Sequence, residues 1–131
     1  MVIDDSETVR IKITQIVKNR GHEVIEAENG QIALDIITST SGIDLCICDI
    51  NMPEMDGLTL VEEVRKRDWD KKDLVFIISN SGTSGELKNI ISFTKKEKIK
   101  TISICSEEDS FLVKNSNYPL LAVKVKEACP L

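Results

Sequence analysis

The sequence DLCICDINMPEMDGL, residues 44–58, decides the fold of this chain. Its first part, residues 44–48, is a short apolar run typical of a buried β-strand, and it ends at Asp49. Pro53 and Gly57 then interrupt the chain before a segment of helical period begins. A strand, a loop and a helix in this order form the repeating unit of parallel α/β sheets, so we expect an α/β fold.

The same alternation continues on both sides of this stretch. Short β-rich apolar runs alternate with segments of helical period, which predicts crossover connections and a parallel sheet. The predicted strands are residues 2–4, 23–27, 44–48, 74–78, 101–105 and 120–125. The predicted helices carry the apolar stripes Val9, Ile13, Ile16 and Val17; Ala33, Ile36 and Ile37; Leu60, Val61 and Val64; and Leu87, Ile90 and Ile91. We expect a three-layer, doubly wound parallel sheet of six strands in the order 2-1-3-4-5-6, with one or two helical turns over residues 110–115.

Size and composition are those of one globular domain, residues 1–131. A chain of 131 residues buries about two thirds of its unfolded surface and can form a real core. No apolar run approaches the roughly 20 residues that span a bilayer, and the charged pair Asp4-Asp5 leaves no room for a secretory leader, so we expect a cytoplasmic protein without membrane contact. The net charge of -5 argues against binding to nucleic acid, because phosphate backbones attract clustered basic residues.

Four cysteines are present, and the only histidine is His22. The cysteines show no CxxC spacing, so the sequence does not predict a zinc site. We interpret three of them as buried strand thiols. Their positions are Cys46, Cys48, Cys105 and Cys129.

Three carboxylates are predicted to meet at one edge of the sheet. Asp4 and Asp5 follow the first strand and Asp49 follows the third, and these strands are neighbours at the topological switch point. One Asp at a strand end is often only a helix cap or a turn residue, but three together repel one another unless a cation neutralises them or a pKa rises. Hard oxygen ligands suit Mg²⁺, and beside bound Mg²⁺ a carboxylate can attack a phosphoryl group. Asp49 is the natural nucleophile.

Over roughly residues 2–72 the chain resembles the receiver domains of two-component response regulators. The matching stretches are VIDDSETVR at 2–10, GHEVIEAENGQIAL at 21–34 and DLCICDINMPEMDGL at 44–58. The resemblance implies a flavodoxin-like, CheY-like fold in which Asp49 is the phosphoacceptor. It also implies that Asp5, Asp49 and the backbone carbonyl of Asn51 bind Mg²⁺, with Asp4 acting through water. Ser79 takes the place of the Ser or Thr that ends the fourth strand, and a histidine kinase or a small phosphodonor is the implied partner.

The resemblance to receivers is incomplete at the fifth strand. Receivers end this strand with a Lys, normally followed by Pro, which pairs with the phosphoryl group and helps to relay the switch. Here the strand ends Ile104-Cys105-Ser106, and the aromatic residue usual on this strand is absent as well. The resemblance therefore implies metal binding more directly than it implies the switching mechanism of the family.

A second phosphate-handling signature, SNSGTS, occupies residues 79–84. A strand, a turn of small residues and a helix N-terminus form an anion site in which backbone N–H groups and hydroxyls face the phosphate. Serine-rich turns are more often only helix caps. The candidate phosphate-binding residues are Ser79, Asn80, Ser81, Gly82, Thr83 and Ser84.

From about residue 73 to residue 131 the chain resembles the sugar isomerase (SIS) domain of the arabinose 5-phosphate isomerase branch. The matching stretches are DLVFIISNSGTSGELKNII, KIKTISIC and the closing KEACPL. The resemblance implies that Ser79, Ser81 and Ser84 contact a phosphate or sugar phosphate, and that Gly82 allows close approach. The part of the chain that would complete an SIS site carries receiver sequence instead, and no acid or base is set up near the loop. We therefore expect no isomerase activity.

These observations lead to one main hypothesis and two alternatives about function. The main hypothesis is an engineered or recombined chimera, with a receiver-like half at 1–72, an SIS-like half at 73–131 and no intact natural activity. Its acidic pocket would still bind Mg²⁺ and accept a phosphoryl group at Asp49. The alternatives are an atypical phosphorelay receiver and a sugar-phosphate-binding module that uses the SNSGTS loop. The sequence does not fix the oligomeric state. The last strand is a candidate exposed edge that could pair with a second chain.

Overall fold

The computed structural model describes residues 1–67, 74–79 and 81–122. The chain divides into two compact units, Met1–Trp69 and Asp70–Leu131. Each unit contains a sheet of three parallel strands, and helices connect the successive strands. The predicted α/β class with parallel strands is therefore confirmed. The predicted receiver-like half at 1–72 and SIS-like half at 73–131 describe a resemblance to two protein families. These compact units do not test that division, which stays a prediction.

The first unit has very short strands. Its elements are β1 Val2–Ile3, α1 Glu7–Lys18, β2 Glu26–Ala27, α2 Gly30–Ser39, β3 Ile47–Cys48 and α3 Gly57–Arg65. The strand order is β2-β1-β3, as predicted, and Ile3 pairs with Ala27 on one side and with Cys48 on the other. The predicted strands 23–27 and 44–48 were too long, because β2 and β3 pair only with the two residues of the central strand β1.

The core of the first unit is an aliphatic cluster that involves the strands and the helices α2 and α3. It includes four residues of the predicted helical stripes, namely Ala33, Ile37, Leu60 and Val64. The stripe of α1 behaves differently, since Ile16 is 63% exposed and the buried residue of this helix is Thr14. α1 contacts β1, and a strand of two residues offers a helix little surface to cover.

The second unit has longer strands. Its elements are β4 Leu74–Ser79, α4 Gly85–Lys96, β5 Lys100–Cys105, α5 Phe111–Asn115 and β6 Tyr118–Leu121, with the strands in the order β4-β5-β6. Both helices contact β5, on which the alternate residues Thr101, Ser103 and Cys105 are buried. The short helix α5 agrees with the turns predicted over residues 110–115.

The strand pairing bears on two predictions about the sheet. The hydrogen bonds among the described residues form two three-stranded sheets, each in the predicted order, and the joining of all six strands into one sheet stays a prediction. β6 occupies Tyr118–Leu121 and begins two residues before the predicted strand 120–125, because its pairing with β5 starts at Tyr118, opposite Ile102. Residues 123–125 of that prediction lie outside the described residues. Pro119 is tolerated there, since β6 is an edge strand of its sheet.

The cysteines also differ from the prediction. Cys105 is buried, whereas Cys46 and Cys48 are only half-buried, and Cys129 lies outside the described residues. Cys48 lies on β3, which is an edge strand of its three-stranded sheet among the described strands, and this explains why its thiol keeps some exposure. Of the helices that the structure describes, none combines the length and the apolar character needed to cross a membrane.

Candidate functional site

Asp4 and Asp49 follow the paired ends of two neighbouring strands. Ile3 and Cys48 are register partners, and the N–H of Asp49 donates to the carbonyl oxygen of Ile3 at 2.9 Å. The structure therefore brings Asp4 and Asp49 to adjacent positions at the carboxyl edge of the sheet, as the sequence predicted. Asp5 is the next residue after Asp4 and is exposed.

The turn from β1 into α1 is held by hydrogen bonds to Asp4. One of its carboxylate oxygens accepts from the N–H of Ser6 at 2.9 Å. The guanidinium of Arg10 donates to the carbonyl oxygen of Asp4 at 2.7 Å and lies 3.6 Å from the carboxylate of Glu26. Arg10 thereby holds the peptide group that joins Asp4 to Asp5. Because one Asp4 oxygen is already engaged, this side chain has less capacity for direct metal ligation than a free carboxylate.

The loop of residues 50–56, between β3 and α3, is closed by Gly57. The N–H of Gly57 donates to the carbonyl oxygen of Ile50 at 2.9 Å, and a Cβ at this position would lie 2.4 Å from the carbonyl oxygen of Asp49. Asp56 caps α3 by accepting a hydrogen bond from the N–H of Thr59 at 2.7 Å. The first residues of α3 therefore rest directly on the backbone of Asp49.

The thiol of Cys48 lies close to the acidic residues. Burial, followed by the nearby charges of Cys46, Asp49, Asp4 and Asp56, raises the pKa of Cys48 to about 12. At neutral pH the thiol is protonated, and it donates to the carbonyl oxygen of Asp49 at 3.0 Å. A protonated thiol is a poor nucleophile, so Cys48 is a neighbour of the acidic site and does not itself supply reactivity.

The oxygen donors at this edge fit Mg²⁺. This ion is usually held by one or two carboxylates, with water and other oxygens completing its six ligands. Asp5 and Asp49 supply carboxylates at two strand ends, and Asn51 supplies a carbonyl in the loop that follows β3. Within residues 1–67, 74–79 and 81–122, there is no group of three or more His, Cys, Asp or Glu side chains that could hold a metal ion. A cation at this edge would therefore depend on the main chain and on water as well.

Sequence reasoning missed two further residues of the first unit that contact each other near the loop 50–56. Asn29 caps α2 by accepting from the N–H of Ile32 at 2.9 Å, and its amide donates to the carboxylate of Glu54 at 3.1 Å. An Asn directly before a helical segment is a capping signal, which could have identified this residue. The contact with Glu54 has no sequence signal, because it joins residues 25 positions apart.

The SNSGTS stretch at residues 79–84, called the serine loop from here on, belongs to the second unit. Ser79 ends β4 opposite Cys105, and its hydroxyl accepts from the N–H of Gly82 at 3.0 Å. Gly82 is buried with a φ of 64°, a backbone conformation that favours glycine. A Cβ on this residue would lie 2.5 Å from the hydroxyl oxygen of Ser110. Within the protein, Gly82 therefore permits close approach of the loop to the cap of α5.

Three further residues of the serine loop face solvent. Ser81, Thr83 and Ser84 are exposed, and the hydroxyl of Thr83 donates to that of Ser81 at 3.3 Å. Ser84 is the N-cap residue of α4, but its side chain makes no capping hydrogen bond. Asn80 lies outside the described residues. The predicted phosphate contacts of this loop, and the predicted place of Ser79 in the acidic pocket, stay predictions.

Comparison with known proteins identifies the family. The family model of the response regulator receiver domain matches residues 1–99. The chain therefore belongs to the response regulator receiver domain family. The match extends past residue 72, where the predicted receiver-like half ends, and it stops just before β5.

Individual relatives agree with this assignment. A chemotaxis protein CheY homolog of Campylobacter jejuni is 37% identical over 84 residues, which are 63% of this chain and 65% of the relative. The match thus spans slightly less than two thirds of that relative.

Two solved structures are similar to the chain as a whole. The response regulator protein TrrA of Thermotoga maritima, solved in complex with Mg²⁺ and BeF, is 25% identical over 92% of this chain and 83% of its own, with a TM-score of 0.48. A Listeria monocytogenes protein named as a candidate sugar-phosphate isomerase is 17% identical over 96% of this chain and 52% of its own, also with a TM-score of 0.48. Both TM-scores are below 0.5, so neither structure decides between the receiver and the isomerase resemblance.

Proposed function

We propose that this chain is a receiver that binds Mg²⁺ at its acidic edge and accepts a phosphoryl group on Asp49. The observation that carries the proposal is the pairing of Ile3 with Cys48, together with the hydrogen bond from the N–H of Asp49 to Ile3. This pairing sets Asp4 and Asp49 side by side. Membership of the receiver family supports the same assignment.

Each acidic residue has a distinct role in this proposal. Asp49 is the nucleophile, since it is exposed and directly follows the last residue of β3. Asp5 and the carbonyl of Asn51 complete the Mg²⁺ site with Asp49, and Asp4 acts through water because one of its oxygens is bound to Ser6. Bound Mg²⁺ would neutralise part of the charge on the carboxylates and on the phosphoryl oxygens. Without such neutralisation an anionic carboxylate and an anionic phosphoryl group repel each other.

The phosphoryl donor would be a histidine kinase or a small phosphodonor. In the transfer, a carboxylate oxygen of Asp49 forms a bond to phosphorus, and the bond from phosphorus to the donor atom breaks with its electron pair leaving on the donor. The proposal covers this acceptance step. It does not include the relay through a strand-ending Lys, because β5 ends at Cys105 and is followed by Ser106.

The test is phosphorylation of the full chain by acetyl phosphate, with and without Mg²⁺. We expect intact mass spectrometry to show one added phosphoryl group that requires Mg²⁺. Asp49→Asn should abolish the adduct, because an amide cannot act as the nucleophile. Asp35→Asn is the matched control, since Asp35 is an exposed carboxylate on α2 whose side chain accepts a hydrogen bond from Gln31. An adduct that persists in Asp49→Asn, or none in the wild type, would contradict the proposal.

We also propose that the chain is a receiver/SIS chimera, engineered or recombined, in which residues 73–131 come from an SIS-type sequence. What supports this is the sixth strand, since β6 pairs with β5 in parallel and lies beyond the end of the receiver match at residue 99. The chimera would be no isomerase. Incubation with arabinose 5-phosphate should therefore give no ketose product, and measurable conversion would refute this part of the proposal.

A second candidate function is phosphate binding at the start of α4. The observation that favours it is the open end of this helix, where Ser84 makes no capping bond and a Cβ on Gly85 would meet nothing within 4 Å. Helix N-termini attract anions, because the helix dipole is positive there. Titration with inorganic phosphate and with arabinose 5-phosphate should shift the amide signals of residues 81–84 in NMR spectra. Signals that stay in place at millimolar ligand would exclude this function.

A further inference from the structure

The start of α2 is tied to the loop that follows Asp49. The N–H of Gly30 donates to the carbonyl oxygen of Met55 at 3.1 Å. The side-chain amide of Asn29 donates to the carboxylate of Glu54 at 3.1 Å. Two hydrogen bonds therefore join α2 to neighbouring residues of the loop 50–56, in which Asn51 offers the carbonyl assigned to Mg²⁺.

Asn29 uses both ends of its side-chain amide. Its oxygen accepts from the N–H of Ile32 at 2.9 Å and caps α2, while its nitrogen donates to Glu54. The residue is 5% exposed, so water can replace neither partner easily. A buried amide is costly when it loses a partner, which fixes the orientation of this side chain and, with it, the position of the Glu54 carboxylate.

Glu54 is the part of the loop that needs such support. Its φ is 64°, in the left-handed region that residues with a Cβ seldom adopt. Such a conformation persists only where surrounding contacts favour it. The bond from Asn29 to an ionised carboxylate is charge-assisted and is among the stronger side-chain contacts available to the loop.

We infer that Asn29 is a positioning residue of the acidic site. Through Glu54 it holds the loop 50–56, and therefore the carbonyl of Asn51, in the conformation that binds Mg²⁺. The inference rests on the proposed function, since it concerns the same site. Asn29 touches neither the metal nor the phosphoryl group and acts only through the loop.

The two roles of Asn29 can be separated by substitution. Ser is about as good an N-cap residue as Asn, so Asn29→Ser keeps the cap of α2 and loses the amide that reaches Glu54. Glu54→Ala removes the same contact from the other side without touching the helix. Glu54→Gln is the conservative variant, because its amide oxygen can still accept from Asn29.

The test measures Mg²⁺ affinity by calorimetric titration of the full chain with MgCl₂. We expect Asn29→Ser and Glu54→Ala each to weaken the affinity by roughly tenfold, the effect of losing one charge-assisted hydrogen bond. The double variant should be no weaker than either single variant, because both remove one contact. Glu54→Gln should retain most of the affinity. Gln31→Ala is the matched control, since it removes an exposed amide contact to Asp35 on the same helix and should leave Mg²⁺ binding unchanged.

The outcomes separate this inference from the proposed function. If the wild type binds Mg²⁺ and both Asn29→Ser and Glu54→Ala bind it equally well, the positioning role is wrong and the proposed function stands. If the wild type binds no Mg²⁺, both are wrong. If Asn29→Ser shifts only the urea midpoint and not the affinity, Asn29 is a helix cap and nothing more, which also overturns the inference. Should Asn29→Ser fail to fold, Glu54→Ala decides the question alone.

Discussion

Helices α3 and α4 both begin with glycine, yet the two glycines have opposite surroundings. A Cβ on Gly57, the first residue of α3, would lie 2.4 Å from the carbonyl oxygen of Asp49. A Cβ on Gly85, the first residue of α4, would meet nothing within 4 Å. The preceding residues differ in the same sense, since Asp56 caps its helix and the side chain of Ser84 does not.

The difference concerns how the chain itself satisfies the start of each helix. The first N–H groups of a helix have no partner within the helix and need one from elsewhere. In α3 the chain provides it, through the Asp56 carboxylate and a close fit against Asp49. In α4 the side chain of Ser84 provides no such partner, while the N–H of Leu87 donates to the carbonyl oxygen of Ser84. The start of α3 is therefore held by a side-chain cap and a close backbone fit, whereas the start of α4 has neither.

The largest expected effect is that of Gly57→Ala. The added methyl group meets a backbone atom that cannot rotate away, so either α3 or the backbone of Asp49 must move. We expect a loss of about 3 kcal/mol in the free energy of unfolding, at the upper end for overpacking. Urea unfolding followed by circular dichroism measures it. Phosphorylation by acetyl phosphate should fall as well, and a variant as stable as the wild type would show that the fit against Asp49 is loose.

The second effect is that of Asp56→Ala, which removes the cap of α3. The N–H of Thr59 loses its acceptor, and we expect a loss of about 1 kcal/mol in the free energy of unfolding. Asp56→Asn should restore most of this loss, because Asn caps helices nearly as well as Asp. The same urea experiment checks both variants. Equal losses for Asn and Ala would mean that the charge of Asp56 matters and the cap does not.

Gly85→Ala should act in the opposite direction. The space beside Gly85 is open and its φ is not in the left-handed region, so alanine fits without strain. Alanine also restricts the unfolded chain, and we expect a gain of about 0.5 kcal/mol in the free energy of unfolding. The midpoint of urea unfolding should rise accordingly. A fall in the midpoint would indicate that the start of α4 is covered in solution.

The smallest effect should be that of Ser84→Ala. Its hydroxyl makes no capping bond, so we expect the free energy of unfolding to change by no more than about 0.5 kcal/mol. This is the matched counterpart of Asp56→Ala in the other unit. A loss as large as that of Asp56→Ala, measured in the same urea series, would remove the contrast between the two helix ends.

Sequence reasoning predicted the succession of strands and helices and the neighbouring strand ends that carry Asp4 and Asp49. Strand existence, the strand order within each sheet and the adjacency of Asp4 and Asp49 follow from alternating periodicities and from the rules for parallel connections. The lengths of β2 and β3 did not follow, because they depend on pairing with the two residues of β1. The exposure of Ile16 did not follow from the sequence either. An apolar stripe shows which face of a helix is apolar, but it does not show how much of that face the rest of the protein covers.

The contact between Asn29 and Glu54 illustrates the same limit within the site. Each residue carries a local signal, a helix cap in one case and a turn in the other. Their meeting depends on where the loop 50–56 packs, and this is decided by the whole unit. The role of Gly82 is similar, because its neighbour Ser110 lies 28 positions further along the chain.

The sequence by itself determined the α/β class, the kinds of residue at the strand ends and the two motifs for which phosphate chemistry is proposed. These features are local, since they follow from the period of apolar residues and from residue types at turns. The tertiary structure alone decided that the strands pair as two three-stranded sheets, that Gly57 is closely packed and Gly85 is not, and that Asn29 reaches Glu54. The physical reason is that each of these depends on contacts between distant parts of the chain, and neither periodicity nor turn chemistry encodes them.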